Sequence, residues 1–504
     1  MSKYCCTFIL FLFSNICFTQ NQNSIWCFGD SAKIVFDTTG NVSLLTSSIV
    51  SRGTATSIAD SNGTLLFYTN TRAGQASAYT GQVWAANDSL MYNGDSIAGR
   101  GWYKQHVIIP APSGNGLYYL VNAAVTAPSG LYYGIIDMTQ DSGRGAVVQK
   151  NVQLKGPNFY SNDGLAAIKH GNGRDWWVIV RDWQYKNDLF YFYRIDSAGI
   201  ALSHTQSIGD SSRPSFFRIE PSMDGNLISC IDANGEMVLY NFDRCSGMLS
   251  NSIYIEHNHV IPNYAPWYWD SELSANKRYL YVSEIYSDYD TTNYLLRFDL
   301  QAPNIAASRD TLYAGENSAV AGLIELAPDG KMYWSCAYNP PNGFNYPYPD
   351  SVHNYITDNL SVINYPDSSF CDFQPFSFYL GGKRTYYGLP NNPNYSLGRL
   401  LGSPCDTLQW TNLTPALSKG EGVMQITYIS DWEKLFVNAS GLKGKNVTVS
   451  IYDGRGSLKF EVISLKSNAG YFTLDVDCSG WSDGLYVVQL QTDKERLSKK
   501  FVKE

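Results

Sequence analysis

The chain is short of histidine, with 6 in 504 residues. His106, His170, His204, His257, His259 and His353 fall at unrelated places, and none has the i, i+4 spacing of a zinc protease. The one close pair, His257-Asn258-His259, reads as an exposed polar strand. No Cys-x-x-Cys pair occurs, which argues against a structural zinc site. No Gly-x-Ser-x-Gly elbow is present either, and Gly171-Asn172-Gly173 is a turn rather than a phosphate cradle. Positive charge is also scarce. With 37 Lys+Arg against 45 Asp+Glu the formal net charge is −8, which disfavours nucleic acid or an anionic membrane surface as partner. No window of about twelve residues keeps a 3.6-residue apolar period, so helices are not the main element. Beyond Phe18 no stretch is apolar enough for a transmembrane helix.

What the first residues do contain is a targeting pattern. Lys3 precedes an apolar run from Cys5 to Phe18, followed at once by Gln20-Asn21-Gln22-Asn23, so residues 1–20 read as a secretory signal cleaved near Thr19 or Gln20. Seven cysteines follow it: Cys27, Cys230, Cys245, Cys336, Cys371, Cys405 and Cys478. In an oxidising compartment Cys230 with Cys245, and Cys371 with Cys405, are the candidate pairs. The first would close a loop within one repeat, and the second would tie the last repeat to the chain leaving it. Small buried thiols are the alternative.

The strongest positive signal is a repeat. A turn followed by an aromatic or β-branched run recurs as IADSNGTLLFYTN from Ile58, PAPSGNGLYYLVN from Pro110, KHGNGRDWWVIV from Lys169 and EPSMDGNLISC from Glu220. It returns as ELSANKRYLYVSE from Glu272, ELAPDGKMYWSC from Glu325 and a degenerate YLGGKRTYYGL from Tyr379. With Gly63, Gly116, Gly173, Gly225, Lys277, Gly330 and Gly382 as anchors, the steps are 53, 57, 52, 52, 53 and 52 residues. That period, with Asp-Gly and Asn-Gly turns feeding strands, predicts one four-stranded propeller blade per repeat. The expected fold is therefore all-β: a seven-bladed β-propeller over 24–400, with Trp26 to Phe36 closing the ring against the last blade.

Chemistry-bearing constellations are few. Asp288-Tyr289-Asp290 and Asp475-Val476-Asp477 have the i, i+2 spacing that puts two carboxylates on one side of a strand, but both read as solvated acids. No cofactor is expected; calcium stays open without a motif to support it. Trp267-Tyr268-Trp269 leads into the fifth repeat and reads as core. The loop from Tyr338 to Tyr348 carries prolines and aromatics that no repeat strand claims, so Tyr338, Tyr346 and Tyr348 are the candidate ligand-binding residues.

After a linker over 405–425 the tail alternates strictly, in Val447-Thr448-Val449-Ser450-Ile451 and again in Phe472-Thr473-Leu474-Asp475-Val476, which predicts a small antiparallel β-sandwich over 426–504. Two resemblances now bear on function. Trp26 to Phe36, the Ile58 segment, Ala321 to Trp334 and Tyr379 to Asn391 resemble the N-terminal propeller of large secreted and cell-surface proteins of Bacteroidota, with Asn392 where that family has an aromatic. The tail is similar to the type A C-terminal sorting domain read by the type IX secretion system. Val447 to Leu458 matches its Tyr452-Asp453 and Gly456 turn, Trp481 to Val487 its Gly484 and Tyr486 strand, and Lys499-Lys500 its basic terminus. Ile429 to Trp432 stands where the family begins with Pro-Asn-Pro.

These resemblances imply export to the surface or medium and a partner in the type IX secretion machinery. Two functions follow. The first is a noncatalytic module gripping a glycan or protein ligand. The second is a propeller lactonase or other hydrolase, which needs convergent acid, histidine or asparagine side chains at one point of the funnel.

Overall fold

The computed structural model describes residues 21–406 and 423–503, less 38, 72–79, 100–102, 125–128, 157–158, 160–163, 183–187, 210–216, 258–265, 286–291, 316–318, 339–352, 401, 430–432, 441, 443–445, 454–456, 467–471 and 495. The chain divides into two compact units, Met1–Leu408 and Gln409–Glu504. Helix is confined, among the described residues, to the short 3-10 turns Asn21–Asn23, Asp141–Gly143 and Ala306–Ser308.

The first unit is a succession of antiparallel sheets, each a simple meander. They occupy 25–50, 55–85, 106–155, 166–207, 217–257, 267–315 and 319–379, the first two with three strands and the rest with four. Turn chemistry explains the repeat. Asp60 Oδ1 accepts the backbone N–H groups of Asn62 and Thr64 at 2.8 and 2.9 Å, and Gly63 behind it has φ 83°. Asp329 and Gly330 repeat the device, with Lys331 N–H on Asp329 at 3.1 Å and φ 78° at the glycine. Glycine adopts this left-handed backbone without penalty, and the tight hairpin needs it. Lys277 takes the same position at φ 59°.

In the four-stranded meanders burial falls off at the last strand. In the fourth sheet the second strand, Trp176–Arg181, is buried throughout, whereas the last, Gly199–Ser207, alternates toward solvent. The first strands of successive sheets lie side by side, Ile25–Phe28 beside Ala55–Ala59 and onward to Trp267–Leu273 beside Ala319–Leu326. They enclose a common space.

Two expectations need correcting. Trp26 to Phe36 does not add a strand to the last sheet: Ile25–Phe28 and Asp30–Phe36 form a hairpin in a sheet of their own with Val42–Val50. The first sheet meets the seventh through rings instead, Trp26 and Phe36 each edge-on to Tyr333 at 5.9 Å. Nor does the degenerate segment around Gly382 open another hairpin. Gly382 is a turn residue after strand Phe373–Tyr379, and the chain then runs on as a strap without strand structure of its own.

The strap ties the sheets together. Arg384 pairs with Asp30, and Tyr387 bridges Leu323 N–H (2.7 Å) and Arg52 C=O (3.1 Å). Gly388 passes so near Gly53 that a Cβ there would lie 2.1 Å from the Gly53 oxygen, so only glycine fits. The Asn391 side chain donates to the carbonyls of His106 and Leu165, both at 2.9 Å, and Asn394 donates to Met223 C=O at 2.6 Å. Tyr395 is buried and its hydroxyl donates to Ile108 C=O at 2.9 Å.

At the strap's far end Cys405 is bonded to Cys245, with Cα atoms 5.3 Å apart. Both sequence-based pairings are thereby corrected. Cys230 lies inside strand Leu227–Asp232 and is a buried free thiol, as is Cys371. The bond closes a loop of 160 residues, a span for which a disulfide stabilises by about 3–5 kcal/mol, chiefly by restricting the unfolded chain.

The second unit has a sheet of Val423–Ile429, Lys434–Ser440 and Phe472–Asp477, and another of Leu458–Lys466, Asn446–Asp453, Gly484–Gln491 and Arg496–Lys503. Leu435 and Val437 from the first share one apolar core with Val449, Ile451 and Val488 from the second.

Candidate functional site

The repeat places a glutamate at one equivalent position in three successive first strands or their ends: Glu220, Glu272 and Glu325, each five residues before its anchor. Because equivalent positions on equivalent strands point the same way, the three carboxyl groups converge on the enclosed space. Asp270 joins them from the strand of Glu272. Into this group runs Lys104, from the segment before strand His106–Pro110. Its ammonium donates to Glu220 Oε2 at 2.6 Å and lies 3.2 Å from Asp270 Oδ1 and 3.8 Å from Glu325 Oε2. Lys104 is 1% exposed, Asp270 0%, Glu272 5% and Glu325 7%.

Charges this deep pay a desolvation cost, and the carboxyl groups respond by holding protons. Burial pushes Glu220 up to about 7 against the opposing pull of Lys104. It drives Glu272 and Glu325 well above the ordinary carboxyl value, with the neighbouring acids adding to the effect, and it raises Asp270. Burial alone would lower the Lys104 ammonium, but Asp270, Glu220, Glu325 and Glu272 together hold it well above its ordinary value. Asp270 has further support. Its Oδ2 accepts Ile324 N–H at 2.9 Å, and the Arg218 guanidinium, set against the rings of Tyr103 and Trp269, also favours its charged form.

A cavity opens beside the cluster. Glu220, Glu272 and Glu325 line it from three strands, and Asn391, Asn394 and Leu397 of the strap form another wall.

The titrations make a prediction. A carboxyl raised in the fold binds protons that the unfolded chain has lost, so its stabilisation is complete below the unfolded value of 4.5 and disappears as pH rises through about 7 for Glu220. His106, buried and lowered from 6.5 to about 4, acts oppositely, but only as pH falls below 6.5. Between pH 6.5 and 8 the carboxyl groups are therefore expected to decide the slope. Urea unfolding should show a loss of at least about 1 kcal/mol across that interval, and Glu272→Gln should flatten it. A flat wild-type profile would contradict the assignment.

Those sequence-predicted residues that the structure describes lie away from this cluster. Tyr338 is the last residue of strand Met332–Tyr338, half-buried against the core and paired with Ala319, so a strand does claim it. Tyr346, Tyr348, Asp288, Asp290 and His259 lie outside the described residues. Tyr268 is buried and Trp269 meets Tyr103 edge-on at 4.6 Å, while Trp267 is 43% exposed. Asp475 and Asp477 are exposed. Three other histidines have structural partners: His170 contacts Cys245 C=O at 3.0 Å, His204 stacks on Phe192 at 4.6 Å, and His353 meets Asp358 at 2.9 Å. Among the described residues no group of His, Cys, Asp and Glu is arranged to hold a metal ion.

In the second unit, Tyr486 stacks between Trp481 and Phe501 at 5.1 and 5.3 Å and donates to Ser482 C=O at 2.5 Å. Asp453 closes its turn by accepting Ser457 N–H at 2.9 Å, Tyr452 pairs with Val487, and Gly484 has φ 148°. Gly456 lies outside the described residues. Lys499 and Lys500 are exposed, whereas Lys503 is buried and donates to Glu433 Oε1, Cys478 C=O and Trp481 C=O, each at 2.9 Å.

Residues 433–504 match the family described as the secretion system C-terminal sorting domain. The C-terminal unit is a secretion-system sorting domain. Its exposed Lys499 and Lys500 and its buried, stacked Tyr486 thus separate into surface and scaffold of that domain. A type IX sorting domain implies contact with the secretion machinery and export to the surface or beyond. No helix among the described residues is long and apolar enough to cross a membrane.

No curated protein matches the chain. Among solved structures, a Lactobacillus plantarum protein is 12% identical, with 81% of this chain and 99% of that chain covered and a TM-score of 0.36. A proposed 6-phosphogluconolactonase of Bacteroides fragilis is 11% identical over 82% and 99%, TM-score 0.37. PorZ, a surface component of the type IX secretion system of Porphyromonas gingivalis, is 11% identical over 95% and 75%, TM-score 0.31. At these TM-scores the likenesses bear on neither blade count nor activity.

Proposed function

We infer that the mature protein is a seven-bladed propeller over 24–400, joined by a linker over 405–425 to a sorting sandwich over 426–504, and that it works outside the cell as a noncatalytic binding module for a glycan or protein ligand. The observation that carries this reading is the cavity bounded by three strand glutamates and the strap. It is a concave recess lined by carboxyl groups, on a scaffold that the strap and its disulfide cross-link. Lys104 engages the nearest acids at 2.6 and 3.2 Å, which suits a fixed electrostatic site better than a nucleophile or base that must change partners.

One observation favours the hydrolase reading. Glu220, pushed up to about 7, holds a proton near neutral pH as a general acid must. Assays of the purified protein against lactone, peptide and glycan substrates, with and without calcium, should show no turnover. Turnover abolished by Glu220→Gln would replace the binding reading with the enzyme.

A further inference from the structure

Three glutamates share one ammonium in this recess. Asp270 has the Ile324 N–H and the Arg218 guanidinium as well as Lys104 at 3.2 Å, while Glu220, Glu272 and Glu325 depend on Lys104 for positive charge. Glu220 takes its hydrogen bond at 2.6 Å. Among the described residues, Glu272 Oε1 receives the N–H of the next residue, Leu273, at 3.1 Å. Glu325 Oε2 has no hydrogen-bond donor among the described residues, its Lys104 contact at 3.8 Å being too long for one. Yet Glu325 is 7% exposed and lines the cavity. A buried carboxyl oxygen at a cavity wall without a donor is costly, and a donor from outside removes that cost.

We propose that the cavity binds a primary alkylammonium group, which donates to Glu325 and Glu272 beside the internal ammonium of Lys104. This rests on the binding-module reading and names its ligand chemistry. An ammonium supplies three donors and one positive charge in a compact head, which matches two neighbouring carboxyl groups in the wall of one cavity. The acids are disposed about Lys104, so the site is already half built for this chemistry. The proton balance is definite: where a carboxyl group is protonated in the free protein, R–NH3+ binding converts it to carboxylate and releases one H+ to solvent. The groups that take part are Glu220, Glu272, Glu325 and Asp270, with Lys104 and Arg218 as the facing cations. Each proton released makes affinity rise about tenfold per pH unit.

Calorimetric titration of the full mature protein with cadaverine and with glucosamine, in two buffers of different ionisation enthalpy, tests this. n-Butanol and calcium chloride serve as controls. The expected result is binding of one or both amines with proton release and tighter affinity from pH 6 to 8, no binding of butanol, and at least tenfold weaker amine binding by Glu325→Gln. Glu272→Gln should weaken it likewise, and neither variant should lower the urea midpoint of the free protein at pH 8. Binding of cadaverine alone assigns the ligand to alkyl amines, and of glucosamine alone to amino sugars. Absence of amine binding, or equal binding by Glu325→Gln, overturns the proposal. If glycan-array or protein binding persists unchanged in Glu325→Gln, the ammonium site falls while the binding module stands.

Discussion

Deleting residues 422–504 should leave a folded first unit trapped in the periplasm, with surface and medium levels reduced more than tenfold in quantitative immunoblots of fractionated cells. Each unit has its own core: apolar clusters of the first run from Ile25 to Tyr395, while that of the second begins at Met424. The Cys245–Cys405 bond and the strap lie before the cut, so truncation removes nothing that the sheets need. What it removes is the sorting domain at 433–504. Retention of the urea midpoint by the truncated protein separates lost sorting from lost folding. In the complementary arm, residues 423–504 fused behind a periplasmic reporter should carry the reporter out. Normal export of the truncated chain would refute the sorting role.

Much of the fold was legible because turns are written locally. Six of the seven anchors, Gly63 through Gly330, sit between the first and second strands of their sheets, where positive φ, and in five of the six an aspartate or asparagine side chain on the turn backbone, fix the hairpin. Gly382 misled because a glycine turn followed by aromatics looks the same whether the next residues pair as a strand or, like Tyr386 and Tyr387, are buried between sheets. That choice depends on what lies opposite, and Gly53 and Leu323 are hundreds of residues away in sequence from one another. The disulfide escaped for the same reason: Cys245 and Cys405 meet through the strap's path, not through proximity in the chain.

The candidate site was half visible. Glu220, Glu272 and Glu325 recur at one place in the repeat, and a period that predicts equivalent strands also predicts equivalent directions. In the sequence they look like parts of the turns, and nothing there shows that the strands bring them together. Lys104 gave no such signal, since it precedes its strand and belongs to no repeated position. Its role exists only once the first strands stand side by side.

Lys104→Met should accordingly be the most damaging single substitution in the first unit, costing about 3–5 kcal/mol of stability at pH 8 by urea unfolding. Methionine keeps most of the volume and the unbranched shape, so the loss reports charge rather than a cavity. Removing the ammonium leaves Glu220 without its 2.6 Å donor and strips Asp270 of one of two cations, with Glu272 and Glu325 alongside. The sign with pH is opposite to that of an ordinary exposed ion pair. At pH 5 the raised carboxyl groups hold protons and need the cation less, so the penalty should shrink to a fraction of its value at pH 8. Lys104→Met combined with Glu220→Gln should recover part of the stability at pH 8, because the pair is coupled. A penalty equal at both pH values, or no recovery in the double variant, would show that Lys104 contributes packing alone and that the acids around it are not held by its charge.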